Sequence, residues 1–177
     1  MNSSRFVVGT HIMVALAGKA LLCGHFGMST VVSSDELAFS VNTNPVVVRR
    51  LLSLLQKAGL VTSKAGRYGG TTLAASAQSI TLRDVYEAVE EEGLFHAHYQ
   101  GPNMHCAIGN SIEEILESPL SLAEKAMKEA LSEYTIEGLV LEIMQIHKIG
   151  EKIEAGMTYE EIKQEFDQES TSALDKF

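Results

Sequence analysis

The chain has 177 residues, of which 45% are hydrophobic and 21% charged, the balance of a folded globular protein rather than of a disordered or low-complexity polymer. A membrane-spanning helix needs about 18 or more consecutive apolar residues. The nearest case, Phe6 to Leu22, is broken by His11 and Lys19, so neither a membrane partner nor a signal peptide is expected. Two cysteines, Cys23 and Cys106, exclude a disulfide framework and suit a reducing, cytoplasmic setting.

The net charge of −9 conceals an asymmetry. Residues 1–80 carry seven Lys and Arg against two acids, a balance of +5, whereas the remainder carries seven basic and 21 acidic residues, a balance of −14. Attraction to a polyanion follows the field at the contact and not the whole-chain total. A basic N-terminal part on an acidic scaffold therefore admits nucleic acid as a partner.

Apolar residues at helical spacing (Val7, Val8, Ile12, Ala15, Leu16, Ala20) predict a first helix over Val7 to Leu22, ended by Gly24 and Gly27. Cys23, beside it among apolar neighbours, reads as core. Ser33 with Glu36 three residues on forms a capping box that opens a short helix. Asn42-Thr43-Asn44 makes a turn, and Pro45 stands where proline starts a helix. From Val46 to Ala58 the residues Val46, Val47, Leu51, Leu54 and Leu55 suggest one apolar face, which leaves Arg49 and Arg50 outward, and Gly59 ends the helix. Short helix, three-residue turn and second helix is helix-turn-helix spacing. Leu60–Thr62 and Thr71–Leu73 then read as two strands around the glycine-rich loop Ser63–Gly70, a wing.

Thr81 caps a further helix reaching about Glu92, and residues 93–110 read as a loop bearing glycine, histidine and proline. A long helical tract follows from Ser111 to Glu133, with a bend expected at Pro119. Thr135 caps a segment through about His147. Thr158 and Glu161 form another capping box ahead of a polar tail expected to fray.

Three motifs in order resemble the Rrf2 family: Ser33-Ser34-Asp35-Glu36-Leu37-Ala38 followed by Thr43 to Val61, the wing Gly66-Arg67-Tyr68-Gly69-Gly70 with Leu73-Ala74, and Ile80 to Val85 with Ala88-Val89-Glu90. This winged-helix group contains the iron–sulfur cluster regulator, the nitric-oxide-sensing repressor and the cysteine-metabolism repressor. The likeness spans about residues 5 to 140. It implies a homodimer whose long C-terminal helices cross and whose recognition helices enter successive major grooves of DNA. Iron–sulfur members place three cysteines in the loop where this chain has only Cys106. A cluster needs close to four thiolate-type ligands, so none is expected unless His96, His98 or His105 substitutes.

Fold and function expectations follow. The fold is mainly α, with a winged helix-turn-helix domain at 1–80, a sensor loop and helical dimerisation region at 81–150, and a helical extension and tail at 151–177. The function is a DNA-binding repressor on a palindromic operator. A winged helix that docks a partner protein is the alternative. The expected contacts to double-stranded DNA are Ser33, Ser34, Thr43, Asn44, Val46, Arg49, Arg50, Lys64, Arg67 and Tyr68. For Ser33, Ser34, Thr43 and Asn44, capping a helix competes with contacting DNA. Cys106 beside His105 is the candidate thiol sensor, against the bland reading of a small buried residue that packs the loop. His96, His98, His105 and Cys106 offer zinc-type donors, but their spacing matches no standard finger and no metal site is expected. A small-molecule or redox effector is a candidate partner. No nucleophile–base arrangement or phosphate-binding Gly-Lys-Ser/Thr motif has recognisable context, so no enzyme is expected.

Overall fold

A computed structural model describes residues 4–66, 69–90, 93–95 and 101–174, with 167–174 as backbone alone. Helix α1 (Ser4–His25) runs three residues past the expected end at each side. Gly27 closes it in the left-handed region (φ 66), with Met28 N–H donating to the Cys23 carbonyl at 2.8 Å. By length and composition α1 could cross a membrane. Part of its apolar surface is used inside the fold: Ile12, Met13, Leu16 and Ala17 are buried, and α1 contacts α2 (Ser34–Val41), α3 (Pro45–Lys57), α4 (Leu82–Val89) and α6 (Ile136–Ile146).

Helix α2 begins with the expected capping box: Glu36 N–H donates to Ser33 Oγ at 3.1 Å and Ser33 N–H to Glu36 Oε2 at 2.8 Å. Asn42 ends it in the left-handed conformation, and Asn44 Oδ1 accepts from Val46 N–H at 2.8 Å to start α3, with Pro45 in the first turn. The buried face of α3 is Val48, Leu51, Leu52 and Leu55. That corrects the expected stripe: Val46 and Val47 are exposed. With α3 starting at Pro45, Val46 and Val47 sit on its first turn, and the i, i+3, i+4, i+7 series that meets α1 and α2 starts from Val48.

Strands β1 (Val61–Lys64) and β2 (Gly70–Leu73) pair antiparallel, with Val61 opposite Leu73 and Lys64 opposite Gly70. Val32 adds a bridge to Thr71, its N–H donating to the Thr71 carbonyl at 3.0 Å and its carbonyl accepting from Thr71 N–H at 2.8 Å. A side chain at Gly70 would place its Cβ 2.6 Å from the Val32 carbonyl oxygen, so this approach requires glycine. The wing root is thus fixed to the chain that enters α2.

The Thr81–Asp84 capping box opens α4, which stops at Val89 rather than near Glu92 because Glu90 is already extended. Helix α5 (Ala107–Ser132) starts four residues earlier than expected, with Cys106 as its N-cap, and continues through Pro119. Proline there leaves the Ile115 carbonyl without its helical donor. Thr135 caps α6 through Gly138 N–H at 3.1 Å. A second bridge, Thr81 to Thr135, ties the start of α6 to the start of α4. A short helix, α7 (Ile149–Glu154), was not expected; Lys148 in the left-handed conformation separates it from α6. Helix α8 (Tyr159–Leu174) follows the Thr158–Glu161 capping box. One hydrophobic cluster joins Ile12, Leu16, Leu37, Val48, Leu55, Val85, Val89, Ile136 and Val140, so α4 and α6 share a core with the helix-turn-helix.

Candidate nucleic-acid interface

The two bonds of Asn42 and Asn44 fix the angle between α2 and α3, and burial of Val48, Leu51 and Leu55 fixes how α3 rolls. The opposite face of α3 is therefore presented to solvent. It carries Val46 (65% exposed), Arg49, Arg50 and Ser53. Between this face and the wing lies a groove of about 590 Å³ lined by Ser33, Ser34, Arg49, Ser53, Lys64 and Thr71 among others. Its polar lining is hydroxyls, the Gln56 amide and two cations, the groups that contact phosphate oxygens.

Of the expected contact residues, Ser33, Ser34, Arg49 and Lys64 are brought together around this groove. Ser33 also caps α2, and Ser34 Oγ accepts from Arg49 Nε at 3.1 Å. Arg49 reaches Asp35 as well, at 3.3 Å, so it braces α3 against the start of α2. Arg50 is exposed one position on. Thr43, Asn44, Val46 and Arg50 lie outside the groove lining, at the turn and first turns of α3, with Asn44 occupied as the N-cap. Arg67 and Tyr68 fall outside the described residues. Sequence reasoning missed Ser53 and Gln56, which line the groove too. Their spacing from Arg49, i+4 and i+7, was the available signal.

The candidate sensor lies outside the groove lining. Cys106 is exposed, which overturns the reading of it as a buried packing residue. The N–H groups of Gly109, and then Ile108, face its sulfur and hold the thiol below its ordinary range, although no cap hydrogen bond is formed. The cause is the N-terminus of α5, whose first amide groups face the sulfur. Cys23 is fully buried on α1. His96 and His98 lie outside the described residues. Among those described, no group of three or more His, Cys, Asp or Glu gathers in a metal-binding arrangement.

The model of the Rrf2 family, iron-dependent transcriptional regulators, matches residues 2–142. YwnA of Bacillus subtilis, named as an HTH-type transcriptional regulator, is 34% identical over 140 residues, covering 79% of this chain and 97% of its own length. A solved structure described as a DNA-binding protein is similar at 32% identity and TM-score 0.55, covering 77% of this chain and 98% of that one. CymR, the global cysteine regulator of B. subtilis, is similar at 25% identity and TM-score 0.54, over 79% of this chain and 95% of its own. The chain has two cysteines in all, one of them sealed in α1, so a site built on three cysteine thiolates does not fit these residues. Family, helix-turn-helix and wing agree, and no catalytic activity belongs to such regulators. The chain belongs to the Rrf2 family of winged helix-turn-helix transcriptional regulators.

Proposed function

We propose that the protein is a cytoplasmic repressor that binds a palindromic DNA site as a homodimer and works without a resident cluster. One contrast carries the reading. The exposed face of α3 and the wing form a cationic, hydroxyl-lined groove, while the 26-residue α5 buries none of its residues within the single chain. Ile108, Ile115 and Leu122 recur on α5 every seven residues, 74%, 66% and 68% exposed. That stripe has the spacing of a helix packed along another helix. A second copy across it would hold two α3 helices on one side of the duplex, about 34–36 Å apart. Residues 1–80 supply the groove, 81–150 the α5 contact and Cys106, and 151–177 an added part that is helical through Leu174.

Gel-shift titration on promoter fragments tests this directly. Saturable binding that weakens steeply as salt rises is expected, since each neutralised phosphate releases counterion. Absence of specific binding at low salt leaves the partner-docking alternative in its place.

Cys106 supplies the proposed redox input. Its exposure and its place at the α5 N-terminus put a modifiable thiol at the root of the proposed dimer helix. Under limiting iodoacetamide, peptide mass spectrometry should find Cys106 alkylated and Cys23 intact, with the rate reaching its plateau at lower pH than for a free thiol. Equal labelling of the two cysteines in the folded protein sinks this part of the reading.

A further inference from the structure

The chain after residue 142 lies beyond the family-model match, and it folds back on the molecule. Ile149 and Ile162 are buried, Lys152 pairs with Glu165, and the Phe166 ring stands edge-on to His147 at 4.7 Å. Tyr159, at the first turn of α8, meets Phe26 edge-on at 6.3 Å, and Lys19 Nζ sits 5.8 Å from the Tyr159 ring centre. The extension therefore covers one end of the valley between α1 and α6.

What it leaves is a cleft of about 720 Å³, inside the range of roughly 300–1,000 Å³ typical of small-molecule sites. Ala15 and Gly18 of α1 contribute to its lining, and their small size helps make the space. Leu139 and Ile143 of α6 add apolar wall, and Tyr159 and Phe166 come from the extension. Polar groups are few and placed apart. His11 Nε2 and Ser40 Oγ are hydrogen-bonded at 3.0 Å, and Lys19 stands 3.7 Å from Glu36. Thr10, also in the lining, has its hydroxyl buried with no partner. Threonine in a helix has two accessible χ1 rotamers, so that hydroxyl can turn to meet an oxygen in the cleft. An apolar enclosure with a few separated hydrogen-bonding groups, one of them unsatisfied, is the composition of a ligand site.

We propose that this cleft binds a small, mainly apolar molecule bearing an oxygen acceptor, its body over Ala15 and Gly18 and its oxygen directed to Lys19. The site deepens the regulator reading by giving it an effector, yet binding is measured without DNA, so failure here leaves the groove at α3 untouched. The probe series is 1-naphthoate, 1-naphthol and 1-methylnaphthalene, followed by naphthyl fluorescence on the full chain, which contains no tryptophan to interfere. One naphthoate or naphthol per chain, bound more tightly than methylnaphthalene, is the expected result. Gly18→Leu should abolish binding of all three. A Cβ there meets only Val140 Cγ1, at 4.0 Å, so the backbone admits a side chain, and Gly18→Leu should fold with a melting temperature no lower than that of the unaltered chain. Lys19→Met should weaken naphthoate about tenfold and leave methylnaphthalene unchanged. Titrations of Gly18→Leu that superimpose on those of the unaltered chain overturn the proposal, as does the absence of saturable binding. A third contrary outcome is a shift in oligomeric state of Gly18→Leu on sedimentation with no probe bound to either form. That result assigns the cleft to a second copy of the chain.

Discussion

Helices α3 and α5 are both amphipathic, yet they treat their apolar residues in opposite ways. Thirteen-residue α3 buries Val48, Leu51, Leu52 and Leu55 in its own chain, and α5, twice as long, buries nothing. A side chain buried in the monomer supports the fold; one left exposed at regular spacing supports an assembly or nothing. In the proposed dimer the two helices divide the work, with α3 turning its outer face to DNA and α5 its apolar stripe to the second copy.

The sharpest break in that division is Leu122→Asp. Because Leu122 is largely exposed, the fold should survive, while a charge in the heptad stripe should convert dimer to monomer on sedimentation. Operator affinity should then fall by about 10²–10⁴-fold, the advantage of two linked half-site contacts over one. A Leu122→Asp dimer with full affinity would mean that α5 is not the contact. Leu55→Ala makes the reverse test. Leu55 is fully buried in the shared core, so urea unfolding at fixed protein concentration should show a loss of about 2–5 kcal/mol. Folded Leu55→Ala should sediment as the unaltered chain does. Arg50→Ala comes next. An exposed arginine that contacts a base edge or phosphate is worth about 1–3 kcal/mol of operator affinity, with a flatter salt dependence and an unchanged melting temperature. Arg49→Ala should differ by also lowering stability slightly, because Arg49 is bonded to Ser34 and Asp35. Identical behaviour of the two variants would dissolve the distinction between a bracing and a free arginine.

How much of this was legible beforehand varies along the chain for physical reasons. Elements started by a local device were readable: Ser33, Thr81, Thr135 and Thr158 each cap the helix they were expected to cap. Winged-helix spacing followed from Asn42, Asn44 and Pro45. Features set by tertiary packing were not. Which side of α3 is buried depends on where α1 lies, and so the apolar pattern alone puts Val46 and Val47 on the wrong face. The Val32–Thr71 bridge joins residues far apart in sequence with no periodic signal. The sequence marks Cys106 as a loop–helix residue, but its exposure and the amide groups of Ile108 and Gly109 that face it depend on where α5 starts. The cleft beside α1 could not be read at all, because Ala15 and Gly18 matter there through what they lack.

The smallest expected effect separates the core region from the extension through two capping boxes of the same design. The Glu36 carboxyl is held below its ordinary value chiefly by Ser33 N–H, against the cost of desolvation, with the Ser33 hydroxyl and the Lys19 ammonium adding to it. Glu161 is held low in the same way by Thr158 N–H and hydroxyl. A carboxyl whose folded value is depressed binds its proton less readily than in the unfolded chain. Its stabilisation is therefore complete above the ordinary glutamate range and fades as pH falls through that range toward the lower value. At neutral pH Ser33→Ala should cost about 1 kcal/mol, and Glu36→Gln should lower the melting temperature slightly. Both differences from the unaltered chain should shrink as the solution is acidified. Thr158→Ala disables the matching box, but α8 stands outside the cluster that α1, α3, α4 and α6 share, so it should loosen only the extension. Amide exchange would then quicken in 159–166 while the main unfolding midpoint stays in place. A fall of that midpoint equal to the one in Ser33→Ala would show the extension to be part of the same cooperative unit as the winged helix.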